Sequence, residues 1–315
     1  MPVIALDLGG TKLAAAVFDE AGGISLKRSY ALSGREGKEV GELIKEVIRT
    51  LQYETAHDRM PITGVGICVP GISNSNTGMV WAPNIPGWEE YPLKEDILGA
   101  LKNKNLKLMV DNDRACSVLG EKWKGAAQHC DHAVFIAVGT GIGAGIIING
   151  SVLQGTHGIA GATGWMALNR PYEEKYKSCG CFEYYASGEG IVRSAREFID
   201  KEKDYQGILK KYHQLTAKDV FSALGTGDII AQQAIGKAIE LWGMATANFI
   251  SIFNPEKIIF GGGLFGPAAQ FLSDIRKEAE KWAQPVAMMQ VELVSSLLES
   301  DAALYGAAFQ AMAAS

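Results

Sequence analysis

At 315 residues and 33.8 kDa the chain is about twice an ordinary domain, which points to two domains and a sizeable buried core. With 47% hydrophobic and 21% charged residues, and 37 glycines gathered in short clusters, disorder and collagen-like repeats are excluded. Thirty basic against 35 acidic side chains leave a net charge of −5, so no broad positive field draws nucleic acid or an anionic membrane, and small molecules or protein are the expected partners. Residues 3 to 8 (VIALDL) and 13 to 18 (LAAAVF) are apolar runs joined by glycines, which predicts strand, tight turn, strand. A third strand follows at ISLKRSYAL. Between 38 and 56, Val40, Leu43, Ile44, Val47, Ile48 and Leu51 recur at helical spacing with charges between them, an amphipathic helix. A strand at 63 to 69 ends in Pro70-Gly71, a helix lies near 93 to 102, a strand at 106 to 110, and the turn Asp111-Asn112-Asp113 opens another helix.

The plan then starts again. VFIAVGTGIGAGIIINGSVL, from 134 to 153, repeats IALDLGGTKLAAAVFDEAGG, with Gly139-Thr140 where Gly10-Thr11 lie, and suggests an internal duplication. Two such α/β halves would form two lobes, and small ligands bind where lobes meet. Helices are expected at 188 to 200, 216 to 223, 227 to 253, 266 to 283 and 300 to 313, with strands at KIIF and at 288 to 295. The five cysteines (Cys68, Cys116, Cys130, Cys179, Cys181) are scattered apart from one pair, which is no disulfide framework and suits a reducing cytoplasm. No basic, apolar leader opens the chain and no run of about 18 uncharged apolar residues occurs, so neither export nor a membrane partner is expected.

Asp7-Leu8-Gly9-Gly10-Thr11-Lys12 places a carboxylate at a strand end before two glycines, a hydroxyl and a lysine. That composition suits nucleotide phosphates with a hydrated magnesium ion: glycine lets backbone N–H groups reach phosphate oxygens, and Asp7 can hold the metal through water. The plain alternative is a hairpin turn with a solvated aspartate. Gly139-Thr140-Gly141 at the equivalent point of the second half strengthens the phosphate reading. Both clusters lead into β-branched, strand-like runs, whereas a dinucleotide fingerprint leads into a helix, so a nicotinamide site is rejected. Asp113 can act as a base toward an alcohol with Asn112 orienting it, or it is simply a helix N-cap. Asn84 lies between Trp81 and Trp88 in WAPNIPGW, a loop that suits sugar or serves as a packing plug. Cys179 and Cys181 are too close for an ordinary zinc knuckle and read as two inert thiols, and His57, His129, His132 and His213 are assigned no role.

In their order, DLGGTK, VGICVPG, WAPNIPGW, VDNDRACSVLGE, VGTGIGAGIIINGSVLQG, CGCFEYYASG, NPEKIIFGGGL and DAALYGAA resemble the ROK sugar kinases over nearly the whole length. The resemblance implies the two-lobed, ribonuclease-H-like fold of the actin-like ATPases with a cleft between lobes. It assigns residues 1–114 and the C-terminal helix 300–315 to a small lobe, and 115–299 to a large one. It implies ATP and Mg2+ as cofactors, a sugar as small-molecule substrate, and a homodimer. Asp113 becomes the general base on the sugar's primary hydroxyl, while Asn84, Asn112 and Glu183 bind the sugar. Asp7, Gly9, Gly10, Thr11, Lys12, Gly139, Thr140 and Gly141 address the phosphates, and Gly261, Gly262 and Gly263 pack on the adenosine.

The departures from the family pattern are local. GIAGATGWM carries Ala162 and Trp165 where the family has a sugar-binding glutamate and a histidine that holds sugar and zinc, and the cysteine cluster is shortened, so no zinc is expected. Losing contacts near C1 and C2 should make plain glucose a poor acceptor. Trp165 either stacks on an altered anomeric end or a second ring, as in a β-glucoside, or fills the space that zinc vacates. The rival reading is a catalytically weak ROK sugar-binding or regulatory protein; strand one begins at Val3, which leaves no room for a DNA-binding domain.

Overall fold

The computed structural model describes residues 2–57, 61–74, 77–100 and 106–314. The chain divides into two compact units, Met1–His129 with Val152–Ala160 and Asp301–Ser315, and Cys130–Ser151 with Gly161–Ser300.

The first unit begins with β1 (Val3–Leu8), β2 (Lys12–Phe18) and β3 (Ile24–Ala31), antiparallel neighbours, followed by α1 (Gly37–His57) and β4 (Gly64–Val69). Then come the short pair β5 (Ile72–Ser73) and β6 (Val80–Trp81), α2 (Leu93–Ala100), β7 (Lys107–Asn112) and α3 (Asp113–Lys124). The sheet order is β3-β2-β1-β4-β7, with β4 parallel to β1 and β7 parallel to β4. Because side chains alternate along a strand, β1 feeds two cores. Ile4, Leu6 and Leu8 join Val40, Leu43, Ile44, Val47, Ile48 and Leu51 of α1, the face expected from its spacing. Val3 and Ala5 face the other way, onto Cys116 of α3 and the alanine-rich C-terminal helix Ala302–Ala313. That helix lies unusually close to its neighbours: a Cβ added to Gly306 would overlap the carbonyl oxygen of Cys116, and one on Gly66 would overlap that of Ala307. Asp7 belongs to this second, small-residue face.

The second sheet repeats the arrangement with β8 (Ala133–Val138), β9 (Ile142–Ile148) and β10 (Ser151–Val152). The second unit continues with α4 (Cys181–Ala186), α5 (Gly188–Lys201), α6 (Ala217–Gly225), α7 (Ile229–Phe253), β11 (Lys257–Gly261), α8 (Leu272–Glu280), α9 (Pro285–Gln290) and β12 (Glu292–Ser295). The sheet's order, β10-β9-β8-β11-β12, matches the first sheet strand for strand: an antiparallel hairpin, then two strands parallel to the hairpin's first member. The duplication read from the glycine turns is therefore a duplication of topology. α7 is the centre of this unit's core, with fully buried Trp242 donating through Nε1 to the Ala186 carbonyl at 3.1 Å.

Two expected elements differ. The run 288 to 295 is not one strand: Gln284 caps Ala287 N–H and Pro285 occupies the first helical position, so α9 forms and only four residues remain for β12. The helix expected over 266 to 283 divides into a 3₁₀ segment, Pro267–Phe271, and α8.

Candidate functional site

In the first unit the functional side chains gather at the C-terminal ends of β1 and β7. The β1–β2 turn is closed by Gly9 N–H donating to the Lys12 carbonyl at 2.9 Å, and it leaves Gly10, Thr11 and Lys12 exposed while Asp7 is half-buried beneath them. Burial pushes the Asp7 carboxyl up, opposed by a hydrogen bond with the Cys68 thiol and by the Lys12 ammonium. Cys68 is there because strand register sets it opposite Asp7 across β1 and β4. Among the described residues a thiol and a nearby ammonium face the Asp7 carboxylate, which keeps acceptor capacity for a hydrated cation, and the donor chemistry fits magnesium.

Asn84 is brought to the same turn: a Cβ on Gly10 would lie 3.4 Å from that of Asn84. Its loop is held by Trp88, which is fully buried, stacks on Tyr91 at 4.5 Å with 3° between planes, and donates Nε1–H to the Gly37 carbonyl at 2.9 Å. Trp88 is thus the packing plug of the two readings, and only Trp81 of the pair is exposed.

Asp111, Asn112 and Asp113 separate into three roles. Asp111 Oδ2 accepts from Gln310 Nε2 at 2.7 Å and Gln154 Nε2 at 3.1 Å, which ties the end of β7 to the C-terminal helix. Asn112 is buried and is the N-cap of α3, accepting from Ala115 N–H at 2.9 Å while its amide donates to Asp111 Oδ1 at 3.1 Å. The cap is therefore Asn112, and Asp113, one residue further on, has its side chain 51% exposed with Arg114 Nε 3.8 Å from Oδ1. Lost hydration on its protein side pushes the Asp113 carboxyl up to about 6, against the Arg114 guanidinium and with help from the Asp7 charge. A carboxyl titrating there is ionised at neutral pH yet basic enough to accept a hydroxyl proton.

The second unit holds a cavity of about 560 Å³. It is lined by Gly139 and Thr140 of the β8–β9 turn, Gly188 at the start of α5, Arg196, Thr216 and Gly263 among others. Gly188 N–H donates to the Gly139 carbonyl at 2.8 Å and Leu264 N–H to that of Val138 at 3.0 Å, so three segments far apart in the chain meet at one rim. Apolar walls from Val192, Leu215 and Leu264, with glycine backbone at the edge, fit a nucleoside and its phosphates. Of the glycines read as adenosine contacts, Gly263 lines the cavity, whereas Gly261 lies against Phe135 and Gly262, at φ +87°, against the Val138 backbone. Arg196, Leu215 and Thr216 were not anticipated; nothing local marks them, since their position depends on how α5 and the start of α6 pack.

Gly141 turns away from the cavity toward Glu183. Glu183 Oε2 accepts Ile142 N–H at 2.6 Å, and burial pushes its carboxyl up while that N–H holds it down. Trp165 ends the 3₁₀ turn Thr163–Trp165 and is 58% exposed, immediately after Gly164, which packs on Glu183. The structure thus groups Glu183, Trp165 and Gly141 in the second unit, and Asp7, Gly9, Gly10, Thr11, Lys12, Asn84, Asn112 and Asp113 in the first. Among the described residues no helix is long and apolar enough to cross a membrane.

Comparison with known proteins gives a consistent result. The profile of the ROK family matches residues 3–314. The chain is 34% identical to a glucokinase of Halalkalibacterium halodurans, over 96% of this chain and 92% of that protein. Among solved structures it is similar to a ROK family glucokinase from Streptomyces griseus in complex with glucose and AMPPNP, with a TM-score of 0.77, 28% identity and 99% of each chain covered. It is also similar to a ROK family transcriptional regulator, with a TM-score of 0.86 and 26% identity over 99% of this chain and 78% of the regulator.

Proposed function

We propose that this chain, which belongs to the ROK family and is an ATP-dependent carbohydrate kinase, transfers the γ-phosphoryl group to the primary hydroxyl of a hexose or hexose derivative with Asp113 as general base. The observation that carries the assignment of the base is the division of labour at the start of α3: Asn112 takes the cap, so a half-exposed carboxyl pushed up to about 6 is left to receive a proton. In this reading Asp113 withdraws the hydroxyl proton as the new O–P bond forms, and Asn84 and the remaining amide hydrogen of Asn112 orient the acceptor. Lys12 and the N–H groups of Gly10 and Thr11 offset phosphate charge, a role also given to Gly139 and Thr140 beside the nucleotide cavity. Asp7 would hold a hydrated magnesium ion, which would supply neutralisation of the triphosphate's oxygen charge. The adenosine takes the cavity walled by Val192, Leu215 and Leu264.

The acceptor differs from plain glucose at its C1–C2 end. Ala162 and the exposed indole of Trp165 stand where the resemblance places two polar sugar ligands, and an indole face suits an aglycone or a second ring. A cytoplasmic homodimer completes the proposal. Turnover of ATP over free hexoses, N-acetylhexosamines and disaccharides is the test. Activity that falls by about 10²–10⁴ in Asp113→Asn, with nucleotide binding kept, supports the assignment, and a near-active variant removes it. Strong turnover of glucose or N-acetylglucosamine removes the altered-acceptor part alone. The same substitutions at Ala162 and Trp165 favour a second reading, a sugar-binding regulator, for which no sugar would stimulate ATP turnover.

A further inference from the structure

The usual family pattern has zinc at the cysteine cluster, and the residues present in this chain do not fit it. Only two thiols remain in the cluster, without the family's histidine, and Cys179 Sγ accepts from the Arg193 guanidinium at 3.9 Å. Among the described residues no group of three or more His, Cys, Asp or Glu side chains is placed to hold a metal ion. Yet the segment from Met166 to Gly180, which has only the 3₁₀ turn Glu174–Ser178 as regular structure, is well anchored.

Its anchor is Lys175. The ammonium lies 3.0 Å from Glu173 Oε2 and 3.4 Å from Glu197 Oε1 of α5, and 5.2 to 5.7 Å from the ring centres of Tyr176, Tyr184 and Tyr185. Tyr176 OH donates to Glu173 Oε1 at 2.8 Å and meets Tyr185 OH at 3.3 Å, Tyr184 OH donates to Glu197 Oε1 at 3.2 Å, and the three rings make edge contacts at 5.0 to 5.8 Å. Arg193 lies over Tyr184 and Lys237 of α7 over Tyr185. Tyr184 and Tyr185 adjoin Glu183 on α4, and Glu183 has little slack: a Cβ on Gly141 would lie 2.7 Å, and one on Gly164 2.9 Å, from it. A cation shared by three aromatic faces and two carboxylates therefore fixes the short helix that carries Glu183.

We propose that this cluster does the work of the missing metal, a zinc-independent clasp in which Lys175 is the positioning residue for Glu183. The inference rests on the reading that Glu183 addresses the acceptor sugar. The purified protein is assayed for zinc and melted with and without a zinc-selective chelator, and KM and kcat are compared for Lys175→Met and Lys175→Arg with glucose, N-acetylglucosamine and cellobiose as acceptors. Expected are less than about 0.1 zinc per chain and a melting temperature indifferent to the chelator. Lys175→Met should raise the acceptor KM about tenfold with ATP KM and kcat kept, and Lys175→Arg should restore most of the loss. One zinc per chain that Cys179→Ser releases, or an acceptor KM unchanged in Lys175→Met, overturns the proposal. Should Lys175→Met not fold, Tyr185→Phe, which removes one hydroxyl from the cluster, must raise the acceptor KM selectively. If no acceptor is turned over the kinase reading fails, while zinc content and chelator-insensitive melting still judge the clasp.

Discussion

Arg114 offers a quantitative handle on the proposed base. Its Nε is 3.8 Å from Asp113 Oδ1, and because half of the Asp113 side chain is open to solvent the pair is best treated with water-like screening. Two unit charges at that distance interact by about 1 kcal/mol in water, equivalent to roughly 0.8 of a pKa step. The cation favours the ionised carboxylate, so removing it raises the value. Arg114→Met should therefore move the acid limb of kcat/KM for the sugar from about 6 toward roughly 6.8. At pH 6 the ionised fraction would fall from a half to roughly one in seven, a loss of between three- and fourfold that vanishes by pH 9. Initial rates of ADP release from pH 5 to 9, at saturating ATP and magnesium and with the acceptor well below KM, measure this directly. Arg114 also donates Nη2–H to the Gly71 carbonyl at 3.1 Å, so a melting curve of the variant guards against a general loss of structure. A limb that stays at about 6 in Arg114→Met, or one that persists in Asp113→Asn, would refute the assignment of the titration to Asp113.

Two further outcomes follow from packing. Gly306→Ala pushes a methyl into the Cys116 carbonyl where the C-terminal helix crosses α3, and should cost about 1–3 kcal/mol, read as a lower melting temperature; an unchanged one would contradict the close approach. Gly188→Val places a Cβ at the rim of the second unit's cavity, 3.0 Å from the Gly139 carbonyl oxygen, and should weaken ATP at least about tenfold while leaving the acceptor KM alone, as followed by displacement of a fluorescent nucleotide. Equal loss for both substrates would place the nucleotide elsewhere.

What the sequence alone determined was whatever depends on neighbours a few positions apart. The spacing of Val40, Ile44, Ile48 and Leu51 specified the buried stripe of α1, the paired glycines marked both hairpins, and their repetition pointed to an internal duplication, whose sheet order only the structure supplies. Local reading failed where two local signals compete: the apolar run after Pro285 satisfies strand and helix alike, and the Gln284 cap decides for helix. It was also silent where function depends on long-range partners. Three polar residues in a row at 111 to 113 look interchangeable until Gln154 and Gln310, 43 and 199 positions away from Asp111, claim it, Asn112 turns to cap α3, and Asp113 is left half in solvent with a displaced pKa. Arg196 and Thr216 join the Gly139 turn, and Lys175 enters its ring of tyrosines, only because helices separated by tens of residues pack together. Burial and charge pairing are properties of that packing, and no periodicity in the chain encodes them.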